Sequence, residues 1–132
     1  MPGNFFDTNV LLYLASADVV KADQAEDSLK TGGVVSVQVL NEFANVARRK
    51  MQMSWGETRD FLGMLRALLT VHPLTVETHE SGLMLAERYG LSIYDAMIAA
   101  SALHADCNVL LSEDMQAGLV IERRLSVRNP FK

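Results

Sequence analysis

The sequence predicts a single α/β domain in which a parallel sheet carries helices on both faces. Three observations lead to this prediction. Short β-like runs alternate with helical segments along the whole chain, as they do in parallel-sheet folds. The 132 residues are one domain's worth, and neither a linker nor a repeat divides them. One helical segment, Ser92 to His104, is apolar nearly all round, which is typical of a buried helix.

The first elements are a short strand and two helices. Asn4 to Phe6 form the strand, which ends at Asp7, and Val10 to Leu14 form a short helix after it. Val20 to Lys30 has apolar residues at helical spacing and ends at Gly32-Gly33, a pair typical of a helix C-terminus. These glycines therefore mark the predicted end of the helix.

The middle of the chain contains a second strand and two longer helices. Val34-Val35 is the strand, and Ser36 takes the place of a helix N-cap. Val37 to Met51 is predicted to be a helix because its apolar residues form one stripe. Ser54 opens the next helix, through about Thr70, with capping-box spacing to a glutamate three residues later.

The last third is predicted to contain further strand and helix segments. Val71 to Val76 is an extended segment interrupted by Pro73, and Thr78 to Tyr89 is helical. After the apolar helix, Val109 to Leu111 is a strand, and Leu119 to Ile121 is a final short strand.

Composition bounds the location and the class of protein. The formal net charge of −4 argues against a protein that coats nucleic acid by bulk electrostatics. Cys107 is the single cysteine, so one chain cannot form a disulfide. Met1 to Asn4 do not begin a secretion signal, and no apolar run approaches membrane-spanning length. These features predict a cytoplasmic protein.

Four carboxylates are candidates for a functional site, although each also has an ordinary structural interpretation. Asp7 and Asp114 follow predicted strand ends, where ligands of open α/β sheets bind, but Asp7 could simply cap a helix and Asp114 could be a loop residue. Glu42 lies at the margin of an apolar helix face and could be solvated. Asp95 opens the most apolar helix, where a capping box could satisfy it. Glu113 is a further candidate.

Taken together, the four acids indicate a divalent-cation site. Carboxylates that converge without a counter-cation repel one another strongly, and a hard divalent ion relieves that repulsion. Oxygen ligands favour Mg²⁺ or Mn²⁺ over Zn²⁺. The three histidines, His72, His79 and His104, have no metal-ligand spacing.

Four short segments, in order along nearly the whole chain, resemble the signature of the PIN-domain family. They are Phe5 to Leu11, Asn41 to Phe43, Ile93 to Ala100 and Leu111 to Asp114. Within that family, the sequence is most similar to the VapC-type toxins of bacterial toxin–antitoxin pairs. The resemblance implies a five-stranded parallel sheet with helices on both sides, and cleavage of single-stranded or looped RNA, often tRNA or ribosomal RNA.

The resemblance also implies roles for individual residues. The acidic quartet would be Asp7, Glu42, Asp95 and Asp114, of which Asp7, Asp95 and Asp114 are the expected Mg²⁺ contacts. The supporting polar residues would be Thr8, Asn9 and Ser112. Family members usually dimerise, and a small antitoxin blocks the site with basic or aromatic side chains. The resemblance does not fix the role of Glu113.

Two other functions remain open at this point. A receiver-like phosphoacceptor domain would need paired acids after the first strand and a late lysine, but only Asp7 follows that strand and no lysine lies between Lys50 and Lys132. A catalytically silent PIN-like interaction module would look the same in sequence. Candidate RNA phosphate contacts are the clusters Arg48-Arg49-Lys50 and Arg123-Arg124, which could equally be solvated surface residues.

Overall fold

A six-stranded sheet forms the centre of the structure, a computed structural model that describes residues 3–132. Met1 and Pro2, where the segment used for the secretion-signal prediction begins, lie outside the described residues. In chain order the strands are β1 (Phe5–Phe6), β2 (Val34–Ser36), β3 (Thr70–His72), β4 (Val109–Leu111), β5 (Val120–Ile121) and β6 (Leu125–Arg128). Their order across the sheet is β3-β2-β1-β4-β6-β5, and all neighbours are parallel except β5 and β6.

Within residues 3–132, six α-helices connect the strands. They are α1 (Thr8–Leu12), α2 (Val19–Leu29), α3 (Val37–Arg49), α4 (Trp55–Leu68), α5 (Val76–Tyr89) and α6 (Ile93–His104). Phe5 and Phe6 are both fully buried, and successive strand residues point to opposite faces of a sheet. Both faces are therefore covered, which confirms the predicted α/β class.

Local sequence signals explain where the helices begin. Ser54 and Glu57 form the predicted capping box at the start of α4, with both reciprocal hydrogen bonds present. In α6, every residue from Ala96 to Ala102 is buried, as its all-round apolar composition predicts. The start of α5 differs from the prediction: Thr75 caps it and the helix begins at Val76, which the sequence placed in an extended segment.

The predicted count of five strands, all parallel, is wrong because the chain adds β6 and folds β5 back against it. The turn between these two strands places Glu122 and Arg123 at φ values of 51° and 58°. Such turns are usually marked by Asn-Gly or Asp-Gly, and neither pair occurs here. Arg88 and Tyr89 hold the Glu122 carboxylate at 2.7 and 2.9 Å, so long-range contacts support the turn.

None of the helices within residues 3–132 combines the length and the apolar character needed to cross a lipid bilayer.

Candidate active site at the carboxyl ends of β1 and β4

Two neighbouring parallel strands end side by side and define the site. The register pairs Phe6 with Leu111, so the next residues, Asp7 and Ser112, lie opposite each other. The Asp7 backbone N–H donates to the Leu111 carbonyl at 2.9 Å and extends the pairing by one residue. The sheet itself thus brings together groups that are far apart in sequence.

Asp7 is the centre of the site and is 5 % exposed. One carboxylate oxygen, Oδ1, accepts the Thr8 backbone N–H at 2.7 Å. The other, Oδ2, accepts the Ser112 hydroxyl at 2.8 Å and the Asn9 side-chain amide at 3.2 Å. A carboxylate has about four lone-pair sites, so these three donors fix the group while leaving acceptor capacity for a ligand. Thr8, Asn9 and Ser112, the predicted supporting residues, all lie here.

Burial is the main reason that the pKa of Asp7 is raised to about 6 from 3.8. The hydrogen bonds from Ser112 and Thr8 lower this pKa, whereas the nearby carboxylates of Asp95 and Glu42 raise it. An acidic group that is buried beside other acids holds its proton more tightly, because the charged form loses hydration and meets like charge. The site therefore has an unbalanced negative field.

Glu42, on α3, is linked to the residues around Asp7 by a hydrogen bond from Thr8. The Thr8 hydroxyl donates to Glu42 Oε1 at 2.8 Å, and Thr8 is itself buried. Glu42 is half-buried. The solvated interpretation of this helix residue therefore does not describe its environment.

Asp95 lies in the first turn of α6, where only one of the two hydrogen bonds of a capping box with Ser92 forms. The Ser92 hydroxyl accepts the Asp95 backbone N–H at 3.2 Å. Among the hydrogen bonds found within residues 3–132, none uses the Asp95 carboxylate. The side chain is half-buried and close enough to Asp7 to raise its pKa. Its carboxylate is thus available to a ligand at the site.

Asp114 follows on the same loop but occupies a different environment. It is exposed, two residues beyond Ser112, and is not among the groups that shift the pKa of Asp7. The loop is fixed by the Ser112 hydroxyl, which also accepts the Met115 backbone N–H at 3.1 Å, and by the buried Met115 side chain. Asp114 therefore extends from an anchored turn, two residues beyond the Ser112 hydroxyl that binds Asp7.

Glu113 points into a separate cluster, which we call the Lys21–Glu113 clamp. Lys21 Nζ lies 2.6 Å from Glu113 Oε2, and the Tyr13 hydroxyl donates to Oε1 at 2.7 Å. These two hydrogen bonds lower the pKa of Glu113. The Glu113 backbone N–H donates to Asn9 Oδ1 at 3.0 Å, so the clamp continues through Asn9 to Asp7.

The donor set suits a hard cation, but the carboxylates are not drawn into one tight group. Within the described part of the chain, no three His, Cys, Asp or Glu side chains are arranged so that one metal ion could bind them all. The coupled acids offer only oxygen ligands, and a divalent cation relieves the repulsion between neighbouring carboxylates. The chemistry of these oxygen donors suits Mg²⁺ or Mn²⁺, although the described side chains are not arranged around a single ion.

Other reactive residues lie outside the site. Cys107 is buried, and burial raises the pKa of its thiol to about 11, so the protonated thiol is a poor nucleophile. His72 and His104 lie together elsewhere, with ring centroids 6.4 Å apart. Burial, followed by the charge of His104, lowers the pKa of His72.

Comparison with known proteins identifies the family. The sequence model described as "PIN domain" matches residues 5–118, which include all four acids. The chain belongs to the PIN-domain family. The receiver-like alternative is thereby excluded, in agreement with a strand order that differs from the 2-1-3-4-5 order of receiver domains.

Solved structures share the fold of this PIN domain at low sequence identity. A toxin–antitoxin complex from Klebsiella pneumoniae has a TM-score of 0.75 and 20 % identity, covering 97 % of this chain and 98 % of that one. VapC20 from Mycobacterium tuberculosis, described as a sarcin-ricin loop cleaving toxin, has a TM-score of 0.72 and 18 % identity, covering 92 % and 99 %. VapBC2 from Rickettsia felis, bound to a promoter DNA fragment, has a TM-score of 0.65 and 19 % identity, covering 96 % and 97 %. A search of curated proteins gave no significant match.

The PIN domain contains site residues that the sequence did not reveal. Tyr13 and Lys21 enclose Glu113 and through it reach the central acids. Glu113 lies 100 positions from Tyr13 and 92 from Lys21, so no local sequence pattern could have identified these contacts.

Proposed function

We propose that this PIN domain is an Mg²⁺-dependent endoribonuclease and the toxin of a type II toxin–antitoxin pair. The observation that carries the proposal is the environment of Asp7. A buried carboxylate with a pKa of about 6 lies beside the acids Glu42 and Asp95. Clusters of acidic residues with shifted pKa values are typical of functional sites.

Asp7, Asp95 and Asp114 are the proposed ligands of the ion, and Glu42 positions it or its water through Thr8. When bound, Mg²⁺ would neutralise charge on the scissile phosphate and lower the pKa of the attacking water. Mn²⁺ would fit the same oxygen donors. Thr8, Asn9 and Ser112 hold the Asp7 carboxylate in one orientation, so little reorganisation is needed when substrate enters.

The proposed reaction is hydrolysis of an RNA phosphodiester. Water attacks phosphorus, the bond from phosphorus to the 3′-oxygen breaks, and that oxygen leaves with a proton. The products carry a 5′-phosphate and a 3′-hydroxyl. The 2′-hydroxyl is not the nucleophile, which agrees with an acidic cluster that contains no histidine pair.

The proposed substrates are single-stranded or looped RNA, with tRNA and ribosomal RNA the first to test. VapC20, which shares the fold, is described as cleaving the sarcin-ricin loop. We propose that this chain acts on the same class of RNA in the cytoplasm, where a single buried thiol can remain reduced.

The proposed partners are a second copy of the chain and a small antitoxin. One structural neighbour is a toxin–antitoxin complex, and we propose a similar partner whose basic or aromatic side chains reach the acids. Exposed apolar residues on α5 and α6 support a homodimer: Val76, Leu83, Met84, Ile93 and Tyr94. Light scattering should then show a monomer for Leu83→Lys and a dimer for Val120→Lys on β5. If both variants remain dimers, this surface does not form the interface.

The experiment that tests the proposed activity maps the RNA ends that the protein creates in cells. Expression of the wild type should produce new 5′-phosphate ends at defined positions, and expression of Asp7→Asn at equal protein level should not. Identical ends in both samples would contradict the active site. No new ends in either sample, together with no cleavage of purified RNA in Mg²⁺, would favour the catalytically silent module.

A further inference from the structure

A basic and aromatic surface lies at the end of α3 and the start of α4. It borders a cavity of about 370 Å³ lined by Ala44, Asn45, Arg48, Arg49 and Trp55. We call this surface the Trp55 patch. It lies outside the acidic cluster, and the proposed chemistry makes no use of it.

The indole of Trp55 is exposed but held in place from one side. Trp55, the only tryptophan in the chain, is 59 % exposed. The Arg48 guanidinium lies 4.1 Å from the ring centroid, and Arg48 also donates to the Met53 carbonyl at 2.7 Å. A cation at this distance stabilises the ring by a cation–π interaction. The indole is therefore a pre-positioned flat surface facing solvent.

The patch lies on the exposed side of the helix that carries Glu42. Arg49 follows Glu42 by seven residues, which places it about 10.5 Å further along the axis and only about 20° around it. The chain just after α3 also approaches the Lys21–Glu113 clamp, since Met51 lines a cavity with Asn9 and Glu113. A strand passing the acids could thus continue over Arg49 toward Trp55.

The cations of the patch are not neutralised by acids. Among the ion pairs found within residues 3–132, none includes Arg48, Arg49 or Lys50. The other basic cluster differs, because Arg124 binds the Leu103 carbonyl at 2.6 Å and lies 3.3 Å from Asp106. For a chain of net charge −4, unpaired cations beside an exposed indole are a specific attraction for a polyanion with flat groups.

We propose that the Trp55 patch is a subsite for single-stranded RNA, where Arg49 contacts a phosphate and one unpaired base stacks on Trp55. The proposal rests on the nuclease function in that the strand reaching the patch is the one held at the acids. Stacking on an aromatic face requires an unstacked base, as in single strands and loops. The patch would thus select unpaired RNA and fix its direction across the site.

The test measures binding of single-stranded RNA to Asp7→Asn, which separates binding from cleavage. The probe is a labelled, unstructured oligonucleotide of roughly ten nucleotides. Because Trp55 is the only tryptophan, its fluorescence should be quenched as RNA binds. Adding Trp55→Ala should weaken binding by about 5- to 100-fold in anisotropy measurements, and Trp55→Phe should restore part of the loss.

Charge substitutions test the phosphate contact. Arg49→Gln should reduce the slope of log affinity against log salt by about 0.7, the value for one phosphate on a single strand. Arg66→Gln is the matched control, because Arg66 is an exposed arginine in the last turn of α4. It should leave the slope unchanged.

Several results would overturn the subsite. One is an unchanged RNA affinity in a folded Trp55→Ala variant, and another is unquenched Trp55 fluorescence at saturating RNA. A third is a Trp55→Ala variant that loses binding to the antitoxin but not to RNA. Wild-type cleavage is scored separately. Quenching by RNA without cleavage by the wild type would support the subsite and contradict the nuclease function. Cleavage by the wild type together with unaltered RNA binding by Trp55→Ala would support the nuclease function and contradict the subsite.

Discussion

The Ser112 hydroxyl donates a 2.8 Å hydrogen bond to the Asp7 carboxylate across 105 positions of sequence. The two residues follow the ends of the paired strands β4 and β1, so the parallel register of the sheet determines their distance. Ser112 also accepts the Met115 N–H, which leaves its hydroxyl proton directed at Asp7. The bond therefore joins the central acid to the loop that carries Asp114.

Ser112→Ala should lower activity or Mg²⁺ affinity by about 10- to 100-fold, the range found when a partner of a metal ligand is removed. The physical reason is the loss of the donor that orients Asp7 Oδ2. Ser112→Thr should restore most of the activity. Steady-state cleavage at several Mg²⁺ concentrations measures the effect.

Ser101→Ala provides the matched control for that substitution. Ser101 is a fully buried serine of α6 whose hydroxyl has no hydrogen-bond partner among the described residues. Its removal should leave activity unchanged and stability unchanged or slightly higher. Equal activity losses in Ser112→Ala and Ser101→Ala would indicate a packing effect and contradict the orienting role.

The raised pKa of Asp7 makes stability depend on pH. Its pKa is about 6 in the fold against 3.8 without the fold, so the fold favours the protonated form. The stabilisation is complete below about pH 4 and is lost as pH rises through about 6. In EDTA, the free energy of unfolding of the wild type should fall relative to Asp7→Asn by about 3 kcal/mol over the whole titration, from well below pH 4 to well above pH 6.

Denaturant unfolding at a series of pH values measures this difference. Asp114→Asn is the control, because Asp114 is exposed and its replacement should leave the wild-type pH dependence in place. Saturating Mg²⁺ should stabilise the wild type at pH 8 far more than at pH 5, since only the ionised carboxylate binds it. Parallel curves for wild type and Asp7→Asn would show that Asp7 does not titrate in this range.

The Lys21–Glu113 clamp should act on positioning and not on metal binding. Glu113→Gln weakens the contacts to Lys21 and Tyr13, which should loosen the loop that carries Asp114. We expect kcat to fall by about tenfold while the half-saturating Mg²⁺ concentration changes little. This size is set by analogy with substitutions behind metal ligands.

Lys30→Ala is the control for the clamp, because Lys30 forms an exposed ion pair with Asp27 at the opposite end of α2 from Lys21. It should leave kcat unchanged. Lys21→Met should resemble Glu113→Gln, and the double variant should be little worse than either one. A large rise in the Mg²⁺ requirement of Glu113→Gln would instead make Glu113 a ligand.

The sequence predicts those parts of the fold that depend on local signals. The apolar α6 and the capping box of Ser54 and Glu57 are local, and both are confirmed. The strand β6 was missed because Glu122 and Arg123 adopt positive φ without a glycine or asparagine. That turn depends on Arg88 and Tyr89, which no nearby pattern indicates.

The candidate site divides in the same way. A general rule about the ends of parallel strands was enough to single out Asp7 and to put Asp114 on the loop after β4. Whether Asp95 caps its own helix could not be decided from Ser92 and the spacing alone, because one half of a capping box forms without the other. Glu113 has its role fixed by Lys21 and Tyr13, whose proximity follows only from the complete fold.

The most direct measurement of the central claim is a cleavage time course on single-stranded RNA with purified protein. The wild type should cleave in Mg²⁺, stop in excess EDTA and resume when Mg²⁺ is restored. Asp7→Asn, purified in the same way and with an unchanged circular dichroism spectrum, should be slower by at least about 100-fold. Wild-type rates in EDTA or in Asp7→Asn would contradict the claim that a cation held by these carboxylates cleaves RNA.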